Sequence, residues 1–313
     1  MKAQRYLVYG LDVESDLALS TVPALVAGES EPAIRLRLGT ADFFAQRTRD
    51  VTFVDGDWIQ QIVMADGGVY IWVKDVLETI VTPDGRVATC RWMDGVDRRA
   101  FEANLLNFVV SVSLTLLGEE PLHATVVDLG SHTIGLLGPS GTGKSTLAAR
   151  LIAQGGDLVT DDMLRLELGA DGARVHAGPY RLKLMPETAE RLLPHAAGRG
   201  HFNEETEKLL VQPLETVPEG RPRRLDALFW LGKPGEVAPD AGPSVRRLGG
   251  IELARALISS AMNIRYHAPE RLERQMRFAQ KLAEVLPVYA LEYPRSFAAL
   301  DEVSRELRRV ASS

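Results

Sequence analysis

The stretch Gly138-Pro139-Ser140-Gly141-Thr142-Gly143-Lys144-Ser145-Thr146 decides how this chain is read. It is a full match to G-x-x-x-x-G-K-[ST], and the spacing has a physical reason. Glycines let the backbone curl so that successive N–H groups point inward at phosphate oxygens, and the following helix presents its positive N-terminal end. Lys144 can then reach the β- and γ-phosphates, and the Ser145 hydroxyl can ligate magnesium. The flanks agree. Thr133-Ile134-Gly135-Leu136-Leu137 is strand-like, and TLAARLIAQ after the loop is helix-like, with Gly155-Gly156 as its stop.

One helix further on, Asp157-Leu158-Val159-Thr160-Asp161-Asp162 reads as an apolar strand ending in carboxylates. If it and the strand before the loop are parallel neighbours, its C-terminal tip lies beside the loop. The intervening helix, roughly ten residues at about 1.5 Å rise, has the length of a return path across a strand. One carboxylate can hold the metal and its neighbour can face an acceptor. The simpler alternative is an Asp-Asp pair that caps the next element, but two carboxylates beside a triphosphate site repel one another without a cation.

Upstream the texture changes. From Arg5 to about Trp92 short runs rich in β-branched and aromatic residues (YLVYGLDV, IRLRLG, VTFV, VYIWV, LETIV, VATCRW) are punctuated by Gly67-Gly68 and by Pro83-Asp84-Gly85, the latter a hairpin signal. We therefore expect an antiparallel, β-rich domain over residues 1–95, with a short helix or loop around Ser20–Leu25. Asp94–Arg99 is the boundary, and residues 96–313 form the second domain. Nothing in the first part names a chemistry.

In the second part Phe101–Leu117 carries apolar residues at helical spacing, and a hairpin around Leu129-Gly130-Ser131-His132 feeds the loop. Strands then alternate with helices, which argues for α/β layers. Pro186–Leu193, Pro269–Leu286 and Phe297–Val310 read as helices, and DALFWLG and PVYALEY as strands. Pro213–Arg224 and Lys233–Pro243 read as surface loops.

Composition narrows the function classes. The 313 residues include 36 Lys+Arg and 42 Asp+Glu, a net charge of −6, with 45% hydrophobic and 25% charged residues. Such a chain builds a sizeable core, and its acidic balance argues against nucleic acid as a partner. The uncharged stretch Ala103–Gly118 is too short to span a membrane, and no secretory signal is visible at the N-terminus. The single cysteine, Cys90, rules out an internal disulfide and reads as a half-buried strand residue. A cytoplasmic location follows as the default.

Three families carry such a loop. ABC-transporter ATPases often carry GPSGxGKST, and LGGIELARAL (248–257) resembles their signature segment, but ISSAMNIRYHAPERLERQ follows where an apolar strand ending in Asp-Glu belongs. That segment reads instead as a helix packed through Leu253, Ala256 and Leu257. Small-metabolite kinases usually begin almost at the loop, whereas 137 residues precede Gly138 here. Leu122-His123-Ala124, a hairpin, and then GLLGPSGTGKSTLAARLIAQGGDLVTDD resemble the HPr kinase/phosphorylase core, specifically from about Pro121 to Arg165. Tyr9–Asp16, Pro179–Leu184 and Lys208 resemble HPr-kinase-like proteins associated with ribosomally made peptides, including lasso peptides. Two departures stand out: Ser145-Thr146 replaces Ser-Glu, and the Glu-x-Arg-Gly-x-Gly-Ile signature is missing.

The resemblance implies an α/β fold with a P-loop, HPr-kinase-like core and mixed sheet, preceded by a smaller β-rich N-terminal domain for substrate or partner recognition. It implies a one-way, ATP- and Mg2+-dependent serine kinase acting on a precursor peptide or small protein other than HPr. Ser145 and Asp161 would hold Mg2+, Lys144 would neutralise charge on the transferred group, Asp162 would take the hydroxyl proton, and His123 would lie near the γ-phosphate; the order of the two aspartates stays open. HPr kinases assemble as oligomers, which makes a homo-oligomer an expectation. Arg181, Lys183 and Lys208 read as solvated charges, with phosphate or acidic-acceptor contact as their functional alternative. Arg221–Arg224 reads as an exposed loop, with a basic groove as its alternative. A small-molecule kinase and a nucleotide-binding regulatory ATPase remain the other readings of the same loop.

Overall fold

The structure, a computed structural model, describes residues 3–26, 30–203, 205–214, 217–232, 237–238, 241–263, 266 and 268–312. Residues 215–216 of the first expected surface loop and 233–236 and 239–240 of the second lie outside the described residues, as does His267.

Two large mixed sheets organise the chain. The first has eight strands, in the order Ala24–Leu25, Gln4–Val8, Leu11–Ser15, Ile34–Leu38, Val87–Trp92, Leu77–Val81, Val69–Val73 and Ile59–Val63. Its alternating side chains bury Tyr6, Val8, Val13, Ile34 and Leu36, as a period of two demands. The expectation of an antiparallel sheet needs correcting: Ile34–Leu38 pairs in parallel with both its neighbours. Such pairs need long crossovers, and one of these carries the helix Ala41–Arg47, which the sequence reading missed. The segment around Ser20 is a loop followed by a two-residue strand. The buried Glu102 carboxylate accepts from the backbone N–H groups and hydroxyls of Ser20 and Thr21 and so pins it. Cys90 is wholly buried rather than half-buried, and burial pushes its thiol up to about 12.

The helical run after this sheet is Arg98–Asn104, a π-helical turn Leu105–Val109, and Val110–Leu116. Phe101, Leu105, Val109 and Leu114 place it in the same hydrophobic core as the eight-stranded sheet.

The second sheet has six strands, ordered Asp157–Thr160, Ala124–Asp128, Thr133–Leu137, Ala227–Trp230, Val288–Glu292 and Ser244–Arg247. Ile134 and Leu136 face a core closed by the helices Lys144–Ala153 and Leu300–Ala311. Val126, Leu137 and Leu228 face another, closed by Gly250–Ser259 and Pro269–Val285. This is an α/β/α layering. The strand ending at Thr160 runs in the same direction as the strand entering the glycine-rich loop, but the two are not neighbours. Ala124–Asp128 lies between them, antiparallel to both, because the hairpin before the loop folds into that position. Arg223–Leu225, expected as exposed loop, is a strand of a small sheet, and Arg223 is paired with Asp128.

Candidate functional site

Thr133–Leu137 runs into the glycine-rich loop and the helix Lys144–Ala153 leaves it. The loop needs glycine at both ends. Gly138 has φ +136°, and a Cβ there would lie 2.3 Å from the Leu231 carbonyl oxygen; Gly143 is left-handed at φ +92°, directly before the helix. Thr142 Oγ1 donates to the Pro139 carbonyl at 2.9 Å and braces the arch. Lys144 Nζ donates to the carbonyls of Gly138 (2.7 Å) and Pro139 (2.9 Å), drawing the ammonium inside. Burial lowers Lys144 to about 8, against the opposing pull of Asp161 and Asp162.

Asp161 and Asp162 are adjacent in sequence and diverge in space. Asp161 Oδ1 accepts from Thr125 Oγ1 at 2.6 Å and from Ser145 Oγ at 3.3 Å, and its Oδ2 accepts from the Lys183 backbone N–H at 2.9 Å. Asp162 has φ +70°, a left-handed conformation uncommon for a residue with a Cβ. Its carboxylate meets other partners: Oδ2 is 2.8 Å from Lys183 Nζ and 3.5 Å from Arg181 Nη1. Burial, and then the charge of Asp162, raise the Asp161 carboxyl above its ordinary range. Burial also works against the Asp162 charge, but Lys183, Arg181 and His123 together outweigh it and hold that carboxyl below the ordinary range. The two carboxyls are therefore displaced in opposite directions.

A cleft of about 480 Å³ is lined by Lys144, Ser145, His123 and Asp162 together with Ser140, Gly141, Gly143 and Thr146. Gly138, Pro139 and Thr142 are not on this lining, and neither is Asp161, which is in contact with Ser145. His123 is half-buried; burial, and then Lys144, push its imidazole down to about 3, so it is neutral near pH 7. Ser145 Oγ and Asp161 Oδ1 make a hard oxygen pair. Their 3.3 Å separation suits adjacent positions of an octahedral Mg2+ shell, whose ligands sit at about 2.1 Å and whose edges are therefore about 3.0 Å.

Other residues reach the cleft that the sequence reading placed elsewhere. Arg181 and Lys183, expected as solvated charges, are buried against Asp162, because the short strand Leu182–Leu184 passes under the Asp161-Asp162 turn. The available signal was their alternation with Leu182 and Leu184, which puts both cations on one face. The N-terminal sheet contributes Trp58, Ile59 and Gln61 at its edge strand, and the π-helical turn contributes Asn107 and Phe108. Trp58 and Phe108 meet edge to face at 5.9 Å, the Phe108 and Phe202 rings are tilted against each other at 6.5 Å, and Lys183 Nζ lies 4.0 Å from the Phe202 ring centre. Nothing local in the sequence marks these aromatics.

No family model and no curated protein matches the chain. Among solved structures it is similar to the Hpr(Ser) kinase/phosphatase from Coxiella burnetii, with 14% identity, a TM-score of 0.34, and coverage of 61% of this chain and 97% of that one. The chain is a mixed α/β protein with large mixed sheets. No helix among the described residues is long and apolar enough to cross a membrane.

Proposed function

We propose that this chain is an ATP-dependent kinase that transfers the γ-phosphate to a serine-type hydroxyl on a ribosomally made precursor peptide or small protein. The observation that carries the reading is the divergence of Asp161 and Asp162 at the loop. One faces Ser145 and the other faces Lys183 in the open cleft. Ser145 and Asp161 would hold Mg2+, which when bound would screen the charge of the β- and γ-phosphates. Lys144 exchanges the carbonyls of Gly138 and Pro139 for phosphate oxygens.

In the transfer step the acceptor oxygen bonds to the γ-phosphorus as the bond to the ADP oxygen breaks, and the hydroxyl proton passes to the Asp162 carboxylate. Lys183 and Arg181 hold that carboxylate ionised and oriented. The low basicity they impose suits a loose transition state, in which the acceptor proton is lost late. Neutral His123 lines the same wall and orients the acceptor. Aromatic and amide groups from the N-terminal sheet and π-helical turn suit a peptide segment better than a small, highly charged metabolite.

The test is transfer from γ-labelled ATP and Mg2+ to serine-containing peptides. Asp162→Asn is expected to lower transfer by about 10²- to 10⁴-fold while ATP binding persists, and Lys144→Ala to abolish transfer with the fold intact. ATP hydrolysis that needs no acceptor, or an unchanged rate in Asp162→Asn, counts against the kinase reading.

A further inference from the structure

A second cleft, of about 570 Å³, flanks the same loop. It meets the first along Gly141, Gly143, Thr146 and Met185, but its far wall is different: Tyr293, Arg295 and Phe297, the residues that follow the strand Val288–Glu292. That strand lies two places from the loop strand on one side of the sheet, and Asp157–Thr160 lies two places away on the other. The loop therefore has two openings. Asp162, Lys183 and His123 line one; a tyrosine, a phenylalanine and a guanidinium line the other, together with the carboxylates of Glu187 and Glu207.

The second opening carries an unmet demand. Arg295 lies over the Tyr293 ring at 3.9 Å, and Nη2 reaches the Gly232 carbonyl only at 3.4 Å. Its Nε and Nη1 are enclosed with no hydrogen-bond partner, and no carboxylate among the described residues lies within ion-pair distance. Enclosed donors without acceptors are costly, and this cation lines the same cleft as Gly141, Thr142 and Gly143 of the loop. Tyr293 is buried, with its hydroxyl so close to Gly143 that a Cβ there would approach it to 3.3 Å. Phe297 is half-buried, with the Arg191 guanidinium 4.4 Å from its ring centre.

We infer that this second cleft holds the nucleoside half of the triphosphate, its base against Phe297 and Met185 and its ribose and α-phosphate oxygens on Arg295. The assignment rests on the phosphate-donor reading above and adds the donor's orientation. In-line transfer sets the acceptor oxygen and the leaving oxygen on opposite sides of the γ-phosphorus. With the acceptor at Asp162, the β-phosphate, α-phosphate and nucleoside must leave through the other opening. An aromatic ring and a guanidinium with donors to spare are the groups that recognise a stacked base and its sugar-phosphate oxygens.

Titration calorimetry on the full chain, with Mg2+ present, compares ATP with inorganic tripolyphosphate, which fills the loop but has no nucleoside. The wild type is expected to bind ATP at least about tenfold more tightly than tripolyphosphate, a difference of roughly 1.4 kcal/mol. Phe297→Ala is expected to lose most of that advantage while its tripolyphosphate affinity is unchanged, and Arg295→Ala, which also removes the contact to the α-position, is expected to weaken both ligands, ATP the more. Phe297→Leu keeps the bulk without the ring and provides a second variant if the alanine protein folds poorly. Equal wild-type affinity for the two ligands, a Phe297→Ala protein that weakens both in parallel or neither, or an Arg295→Ala protein that weakens neither, overturns the nucleoside assignment alone. Wild-type binding of neither ligand overturns the phosphate-donor reading and the assignment with it.

Discussion

Lys183 Nζ lies 2.8 Å from Asp162 Oδ2, and both side chains are buried. A carboxylate and an ammonium removed from water in this way are each tolerable only with the other present. The pair also ties the short strand Leu182–Leu184 to the turn after Thr160, beside the hydrogen bond from the Lys183 N–H to Asp161.

Lys183→Met therefore leaves Asp162 with only Arg181, at 3.5 Å. The expected loss is about 3 kcal/mol of stability, as for other broken buried pairs, measured by urea unfolding. The double variant Lys183→Met with Asp162→Asn should recover part of it. A single variant as stable as the wild type would show that the pair contributes nothing.

Thr125 holds Asp161 at 2.6 Å from the strand between the two parallel-running ones. Thr125→Val removes a hydrogen bond to a buried carboxylate, a loss of about 2 kcal/mol, and frees Asp161 to turn. The Mg2+ concentration giving half-maximal transfer should rise in this variant. An unchanged Mg2+ dependence would detach Asp161 from the cation.

Burial brings Lys144 to about 8 in the free protein, and an anionic triphosphate favours its charged form. Nucleotide binding should therefore take up protons at pH 8 to 9. Calorimetry in two buffers of different ionisation enthalpy reads the uptake directly, and Lys144→Met should show none. Proton release by the wild type would contradict this role for Lys144.

His123 links stability to pH. Burial, and then Lys144, hold the folded imidazole near 3, while in the unfolded chain it titrates near 6.5. Between those values the unfolded state binds the extra proton, so stability falls as the pH falls from 6.5 toward 3. The lowered Asp162 carboxyl acts in the same direction at more acid pH, its stabilisation being lost as pH drops from 3.8 through the folded value. His123→Gln should flatten the decline in Tm between pH 6.5 and 4.5; an equal slope in both proteins would remove His123 as its source.

Much of the centre was legible because it is local. Gly138 to Thr146 encode backbone conformation and helix start within nine residues, and Asp161-Asp162 announce themselves as carboxylates at the end of an apolar strand. Element positions followed for the same reason. The helix Gly250–Ser259 packs through Leu253, Ala256 and Leu257 at helical spacing, and Pro269 begins the helix that runs to Val285. What failed was pairing. Hydrophobic alternation marks Ile34–Leu38 as a strand but carries nothing about the direction of its neighbours.

The sequence by itself determined the loop, the carboxylates that end an apolar strand one helix later, and the alternation of strands and helices around them. These depend on backbone stereochemistry and on side chains a few positions apart. Only the tertiary structure decided that Ala124–Asp128 separates the two parallel-running strands and lends Thr125 to Asp161, that Arg181 and Lys183 are buried partners of Asp162, and that Trp58 and Phe108 wall the cleft. Each depends on contacts across tens of residues or more. There the sign and burial of a charge are set by what the fold packs against it, which no local pattern records.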